Sequence, residues 1–467
     1  MKVPIITMIL SVCLFLFIQT NAAAQDKQAE TLTLSLKQAQ DYAIKNNASS
    51  KNSALDKEIA KKKIWETTAI GLPQVSAQAN YQHLFKVPEM SLGGYTFLAT
   101  DLPAGTTLTA DDITNKTVYM GYTPAPPIQL GVKDNATLDI VVSQLIFSGE
   151  YIVGLQATKV FYMMTDQNKQ KTEIDLKESV ANSYALALVL KQTRDILSLS
   201  LANTKKTLTD MQAMYQQGLI ENTDVDQIEL VTLTLTNALS SMDRQLAATH
   251  DLIKFQLGVS FASQIILTDN LESLAGTINL ETIVGTQFNI NNNLDYQILN
   301  TTEAISNLNL KREKSLYLPN LAAVYRHSAK MNKPEFDFAP TDVIQVSMNI
   351  PIASSGMRNV RVQQREMELQ KVVNTKENAA NGLQLQYINT VNELTTAYEK
   401  YQNDKKNIEL TKRIYDKSLI KFKEGLASSR DITEFLNQYL TAQSNMYNSI
   451  FSVISAKNKL DKLNNNL

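Results

Sequence analysis

The chain has 467 residues, of which 45 are lysine or arginine and 46 are aspartate or glutamate. This near balance of charge gives no electrostatic reason to expect nucleic acid or an anionic membrane surface as a partner. The one cysteine, Cys13, lies in the N-terminal apolar run. A mature chain without that run has no thiol, which excludes disulfides, thiolate metal sites and cysteine nucleophiles.

Residues 1–24 predict a secretory signal peptide. A positive start at Met1-Lys2 precedes an apolar run over residues 5–18, and three alanines at 22–24 provide a cleavage site. The alternative is a membrane anchor, which the run disfavours because it is shorter than the ~20 residues of a spanning helix. Nothing after residue 24 resembles a transmembrane helix. If the exported protein enters a membrane, we therefore expect strands closed into a barrel.

The mature sequence carries the same landmarks twice, at matched separations. The glycine pairs are Gly149 with Gly218 and Gly356 with Gly425, 69 residues apart in both cases. The dipeptides Asn46-Asn47 and Asn292-Asn293 precede Pro73 and Pro319, and the first asparagine lies 27 residues before the proline in both cases. Fixed spacing indicates a duplicated structural unit. We therefore divide the chain into a first repeat at 25–260, a linker at 261–291 and a second repeat at 292–467.

Proline separates helix from strand in both repeats. All ten prolines after the signal peptide fall in residues 73–127 and 319–351. Because proline breaks helices, residues 152–260 and 357–467 are free to form long helical hairpins. A helix of 69 residues would reach about 100 Å. A heptad-like seam in the first hairpin supports this prediction; it comprises Leu190, Leu197, Leu201, Leu208, Met211 and Tyr215.

The proline-containing windows predict four strands of about ten residues. Apolar and polar residues alternate after Pro73, over 138–142, over 320–326 and over 343–350. The pattern fits a membrane barrel or an ordinary half-buried sheet, and the signal peptide and long helices favour the barrel. Since about eight strands are the practical minimum for closure, the chain must oligomerise, and two or three copies would give eight or twelve strands. Residues 87–134 are an insertion in the first repeat and predict a long loop that adds no barrel strand.

The order of these elements resembles the TolC family of outer-membrane efflux channels over the whole mature chain. The resemblance rests on the repeated sequence of short helix, LP-strand, loop, strand, Ser-Gly turn, long helix, Gly-Leu turn and returning helix. It implies a mostly α fold in which three chains share a 12-stranded β-barrel, continued by a tunnel of twelve helices. It also implies a periplasmic adaptor and an inner-membrane transporter as partners, and a location in outer-membrane lipid.

The Gly-Leu turns are the first candidate site. Glycine at Gly218 and Gly425 permits the positive φ that ends a helix, and the pairs Thr223 with Asp226 and Ser428 with Asp431 have capping-box spacing. A plain helical turn needs these residue types as well. The resemblance implies that the turns contact the adaptor; the residues are Gly218, Leu219, Gly425 and Leu426.

Acidic residues beside the turns are the second candidate site. The resemblance implies that Asp431 and Glu434 form acidic rings at the periplasmic aperture, and that Asp224 helps to hold it shut. The alternative is that these acids interact with the helix dipole. At the position of the family's gate arginine this chain has Ala427, and Arg430 is a nearby substitute.

Other kinds of site have little support. The three histidines share no metal-ligand spacing, and no phosphate loop or nucleophile elbow is present. We therefore expect no catalytic residue, cofactor or metal, and no enzyme activity. The prediction is a homotrimeric exit duct for efflux or type I secretion, with its cargo undetermined. The alternative is an exported coiled-coil protein, such as an adhesin stalk, without channel activity.

Overall fold

The computed structural model describes residues 31–90, 93–99, 107, 109–111, 118–123, 126–276, 280, 287–333 and 337–467. The predicted signal peptide and parts of the predicted loop and linker lie outside these ranges. The chain forms two compact units. Of the described residues, the helical unit takes those in the ranges 31–57, 165–299 and 376–467, and the sheet unit takes those in the ranges 58–164 and 300–375.

Four long helices form the two predicted hairpins. The first hairpin consists of α3 (Gly149–Gln216) and α4 (Asn222–Leu257), and the second of α7 (Met357–Lys423) and α8 (Ser429–Leu463). In the predicted seam Leu190, Leu201 and Met211 are buried, whereas Tyr215 is 46% exposed. Within the described ranges, no helix combines the length and apolar content needed to cross a membrane.

The core of the helical unit lies where short elements pack on these helices. β1 (Thr31–Leu34) pairs in parallel with β8 (Gln264–Leu267), and α1 (Leu36–Asn46) and α5 (Leu271–Gly276) follow them. Tyr184 is fully buried, donates its hydroxyl hydrogen to the Leu34 carbonyl at 3.1 Å and accepts the Asp269 N–H at 3.2 Å. Burial raises the pKa of Tyr184 to about 12, so the hydroxyl remains a donor at neutral pH.

In each repeat of the helical unit, an asparagine side chain connects the start of one helix to the end of another. We call each of these contacts a joint. Asn47 precedes α2 (Ala48–Ile70), and its side chain donates to the Gln256 carbonyl near the end of α4 at 2.8 Å. Asn293 precedes α6 (Leu294–Ser315) and donates to the Leu463 carbonyl at the end of α8 at 3.0 Å. Each asparagine also accepts a backbone N–H from the helix that follows it. A landmark found in the sequence therefore has a structural role in both repeats.

The sheet unit contains the four predicted strands in one antiparallel sheet. They are β2 (Gln74–His83), β7 (Asp134–Phe147), β9 (Asn320–Lys330) and β10 (Asp342–Asn349), in the order β10-β9-β7-β2. The alternating pattern predicted their positions because apolar side chains occupy every second residue. Among the described residues β2 and β10 each pair along one side only.

One face of this sheet is apolar and exposed. The register aligns Val75 with Val142, Ala77 with Ile140, and Tyr325 with Ile344. The most exposed apolar side chains are on the edge strands, where Val75 is 70% exposed and Ile344 is 78% exposed. A monomer that remained in water would leave this large apolar surface solvated.

The insertion contains strands that the loop prediction missed. β3 (Glu89–Met90) pairs with β6 (Ile128–Gln129), and β4 (Gly94–Ala99) pairs with β5 (Val118–Thr123), both antiparallel. None of these strands joins the four-stranded sheet. The insertion therefore contains two strand pairs that the sequence analysis missed, but it adds no strand to the four-stranded sheet, as predicted.

Candidate functional site

The candidate site lies at the tips of the two hairpins, residues 217–224 (the first tip) and 424–431 (the second tip). They are equivalent positions, because 425 − 218 and 356 − 149 both give an offset of 207. Gly218 has a φ of 71° and Gly425 a φ of 77°, as the turn prediction required. The following N–H groups close the Schellman pattern: Leu219 donates to Met214 and Leu426 to Lys421. Leu219 and Leu426 are 65% and 73% exposed.

The returning helices begin with equivalent aspartates. At the second tip the Ser428 N–H donates to Asp431 Oδ2 at 3.0 Å, and the Asp431 N–H donates to Ser428 Oγ at 3.2 Å, so this capping box is confirmed. These bonds from Ser428, the backbone N–H first, hold the pKa of Asp431 below its usual range.

The predicted capping box of Thr223 with Asp226 was wrong. At the first tip the Glu221 N–H donates to Asp224 Oδ2 at 3.4 Å, two residues earlier than predicted. Asp226 instead accepts the Asn222 side-chain amide at 3.0 Å. Subtracting the offset of 207 from Ser428 and Asp431 gives Glu221 and Asp224, so the repeat itself contained the signal.

The two tips contact each other through Asp224 and Ser429. The Ser429 hydroxyl donates to Asp224 Oδ1 and lies 3.1 Å from Gln227 Oε1. Ser429 is only 2% exposed, which strengthens a charge-assisted bond relative to one in water. The sequence analysis predicted a role for Asp224 but missed Ser429. Serine is common at the start of any helix, so its presence there does not indicate a contact with another hairpin.

Arg430, the nearby substitute for the family's gate arginine, is not part of this contact between the tips. It is exposed, and within the described part of the chain no carboxylate oxygen lies within 4.0 Å of its guanidinium nitrogens. Arg430 lines a groove of about 880 Å³ together with Glu434, which accepts a hydrogen bond from Gln438 at 3.3 Å. Most other lining residues are amides and hydroxyls: Gln227, Asn407, Thr411, Thr433, Asn437, Gln438, Thr441 and Asn445. Asp431 is exposed at the cap, outside this lining.

In the described ranges, no group of three or more His, Cys, Asp or Glu residues has metal-binding geometry. Two histidines instead pair with aspartates at the strand ends. His83 Nδ1 lies 2.6 Å from Asp134 Oδ1, and His327 Nδ1 lies 2.8 Å from Asp342 Oδ1. A tyrosine two residues earlier, Tyr81 or Tyr325, donates to the same oxygen in each case.

No protein-family model matches the sequence, and no curated protein matches it. Solved structures do match. The transmembrane channel CusC superposes with a TM-score of 0.70 over 94% of this chain and 95% of that chain, at 13% identity. The outer-membrane protein VceC from Vibrio cholerae gives 0.67 over 92% and 95%, at 14% identity. The CmeC outer-membrane channel from Campylobacter jejuni gives 0.68 over 92% and 85%, also at 14% identity.

CusC and CmeC are channel proteins, and the absence of enzyme activity in this chain stays a prediction. Identities this low establish a shared fold and leave cargo and partners open. The mostly α fold with one four-stranded antiparallel sheet in the chain is confirmed, and the resemblance noted in the sequence holds at the level of architecture. The chain has the fold of the TolC-family outer-membrane efflux channels.

Proposed function

We propose that this protein is a homotrimeric outer-membrane channel, the exit duct of a tripartite efflux or type I secretion system. It would conduct small molecules or proteins passively from the periplasm to the exterior. The observation that carries the proposal is the exposed apolar face of the sheet, whose two edge strands lack a second neighbour in the described chain. Outer-membrane lipid covers such a face, and copies of the chain satisfy such edges.

The number of strands requires more than one copy of the chain, and two copies would supply eight strands and three copies twelve; the resemblance favours three. Four strands are too few to close a barrel, for which about eight are the minimum. Three copies supply twelve, the number implied by the resemblance. A closed barrel satisfies every strand edge, whereas an isolated sheet would leave backbone N–H and C=O groups of β2 and β10 in hydrocarbon.

The gate in this proposal is the contact between Asp224 and Ser429. It joins the start of α4 to the start of α8 within one chain. Splaying of the hairpins must break this bond. The closed and open arrangements would therefore be two discrete packings of the same helices. Asp431 and Glu434 would lie around the aperture, and repetition by symmetry would form acidic rings that attract cations. Arg430 would lie beside them as the substitute for the gate arginine.

The partners in this proposal are a periplasmic adaptor and an inner-membrane transporter that provides the energy. The exposed turns at Gly218, Leu219, Gly425 and Leu426 would contact the adaptor. Exposed leucines beside a turn glycine support this assignment, because the turn fixes the backbone while the apolar side chains remain largely exposed among the described residues.

The test is ion conductance of the purified protein in planar lipid bilayers. We expect discrete, salt-dependent single-channel steps from trimers. The double variant Asp431→Asn with Glu434→Gln should keep the steps but lower the cation-to-anion permeability ratio, because six acidic charges are lost per trimer. The control is Glu399→Gln with Glu409→Gln, which removes the same charge from exposed positions on α7.

Two outcomes would contradict the proposal. Material that purifies as a water-soluble monomer without conductance would exclude the channel and favour a fibrous coiled coil. Conductance with unchanged selectivity in the Asp431 and Glu434 variant would retain the channel but exclude the acidic rings.

A further inference from the structure

We propose that the second hairpin carries a basic docking stripe for an acidic helical surface of the periplasmic partner. The basic stripe is defined by Lys406, Arg413, Lys417 and Lys421 on α7. The spacings of 7, 4 and 4 place the four residues on one face of the helix. This inference rests on the proposed function, and it states which hairpin the partner recognises and by what chemistry.

The first hairpin is an internal reference for the basic stripe. At the offset of 207, the equivalent positions on α3 are Leu199, Lys206, Asp210 and Met214. Residues 405–424 contain seven basic and three acidic residues, whereas the equivalent residues 198–217 contain two basic and one acidic. α3 and α7 are the equivalent first helices of the two hairpins. Because α3 forms without this excess of basic residues, helix formation alone does not explain the basic residues of α7.

The cations of the basic stripe are available for binding. All four side chains are exposed, and within the described part of the chain none has a carboxylate oxygen within 4.0 Å. The neighbouring Lys412 differs, since it pairs with Asp416 at 2.8 Å. A solvated helix face usually pairs its charges at i, i+4 as Lys412 and Asp416 do. Glu409 lies four residues before Arg413, but within the described residues the two side chains form no ion pair.

The helix dipole does not explain the basic stripe. Cations stabilise a helix C-terminus, but the effect falls off within the last turn. The stripe starts at Lys406, about 22 Å before Lys421 at 1.5 Å per residue. Only Lys421 lies close enough to the end of α7 to gain from the dipole.

The apolar residues on the same face favour a protein surface as the occupant. Leu410 and Ile420 lie within the stripe and are 46% and 58% exposed. Exposed apolar side chains among cations bury well against another helix, with carboxylates pairing around them. A partner helix with glutamates at spacings of 7, 4 and 4 would match the stripe along its length.

The experiment measures binding of a synthetic helical peptide with glutamates at those spacings to the purified full-length trimer, by fluorescence anisotropy. The comparison peptide has glutamine at the same positions. The test variant is Arg413→Glu with Lys417→Glu. The matched control is Lys205→Glu with Lys206→Glu on α3, which changes net charge equally at exposed positions.

We expect the glutamate peptide to bind at least tenfold more weakly to the test variant and within twofold of wild type to the control. Binding should also weaken as salt rises, because exposed charges are screened. An equal loss in both variants would show diffuse attraction and overturn the stripe. Tight binding of the glutamine peptide would overturn the acidic chemistry.

Loss of the trimer in the test variant, measured by light scattering, would identify a second copy of the chain as the occupant and would also overturn the proposal. Bilayer conductance separates this inference from the proposed function. A test variant that conducts like wild type but does not lose peptide binding refutes the stripe alone, whereas wild-type protein without conductance refutes the channel.

Discussion

The joints of the two repeats are nearly the same, whereas the surfaces of their hairpins differ. Asn47 and Asn293 make the same pair of hydrogen bonds. The strand ends carry the same Tyr-His-Asp contacts. On the hairpins, in contrast, the equivalent of Arg413 and its basic neighbours is a mixed set of residues.

This difference separates structural from functional positions. Asp224 and Asp431 are equivalent and both cap a returning helix, but only Asp224 also accepts the Ser429 hydroxyl. A position that does the same work in both repeats is explained by the fold. A position that differs between the two repeats is where a gate or a partner can act. The first predictions test the positions that the fold explains.

The largest expected effect is at the end of the first returning helix. Gly258 has a φ of 67°, and its equivalent at the offset of 207, Asn465, has a φ of 59°. A Cβ at Gly258 would lie 2.6 Å from the Asn46 carbonyl oxygen, a backbone atom. Gly258→Asn should therefore destabilise the protein by about 2 kcal/mol or more, as for an overpacked core. The measurement is the midpoint of thermal unfolding.

The reciprocal variant is the control for that prediction. Asn465→Gly keeps the positive φ at an exposed position and should change the free energy of unfolding by less than about 0.5 kcal/mol. If Gly258→Asn is equally mild, the contact with Asn46 is unimportant and the two helix ends are interchangeable.

The second prediction tests whether Asn47 and Asn293 contribute equally to the stability of the protein. Asn47→Ala and Asn293→Ala each leave a helix-end carbonyl without its donor. Each should cost about 1–3 kcal/mol, the penalty for an unsatisfied buried group. Thermal unfolding of the two single variants should give similar losses, and Asn292→Ala, at an exposed neighbour, should be close to wild type. Unequal losses would show that the joints are not equivalent.

Much of this fold was accessible from the sequence because it depends on local rules. The positions of proline fixed where helices could run, and alternation located β2, β7, β9 and β10. The turn glycines required positive φ at residues 218 and 425, which the structure confirms. The strands within 87–134 were missed because short runs between glycines and prolines carry little periodicity.

The candidate site was less predictable because it depends on contacts between distant segments. The bond from Ser429 to Asp224 joins residues 205 positions apart, and no local pattern links Ser429 to a partner in the other hairpin. The error at Thr223 and Asp226 has a different cause. The three-residue spacing alone fits both Thr223 with Asp226 and Glu221 with Asp224. Only the offset of 207 from Ser428 and Asp431 selects the second pair.

The smallest expected effect is a pH dependence at the second tip. Ser428 lowers the pKa of Asp431 in the folded protein, so the carboxylate contributes stability above its unfolded pKa of about 4. This contribution is lost as the pH falls through the lower folded value. Hydrogen exchange of residues 426–436 should therefore be slower in wild type than in Asp431→Asn at pH 6, and this difference should vanish in acid. The equivalent residues 219–229 should exchange alike in both proteins at every pH. A difference between the two proteins that persisted below the folded pKa would show that packing, and not the ionised carboxylate, holds the start of α8.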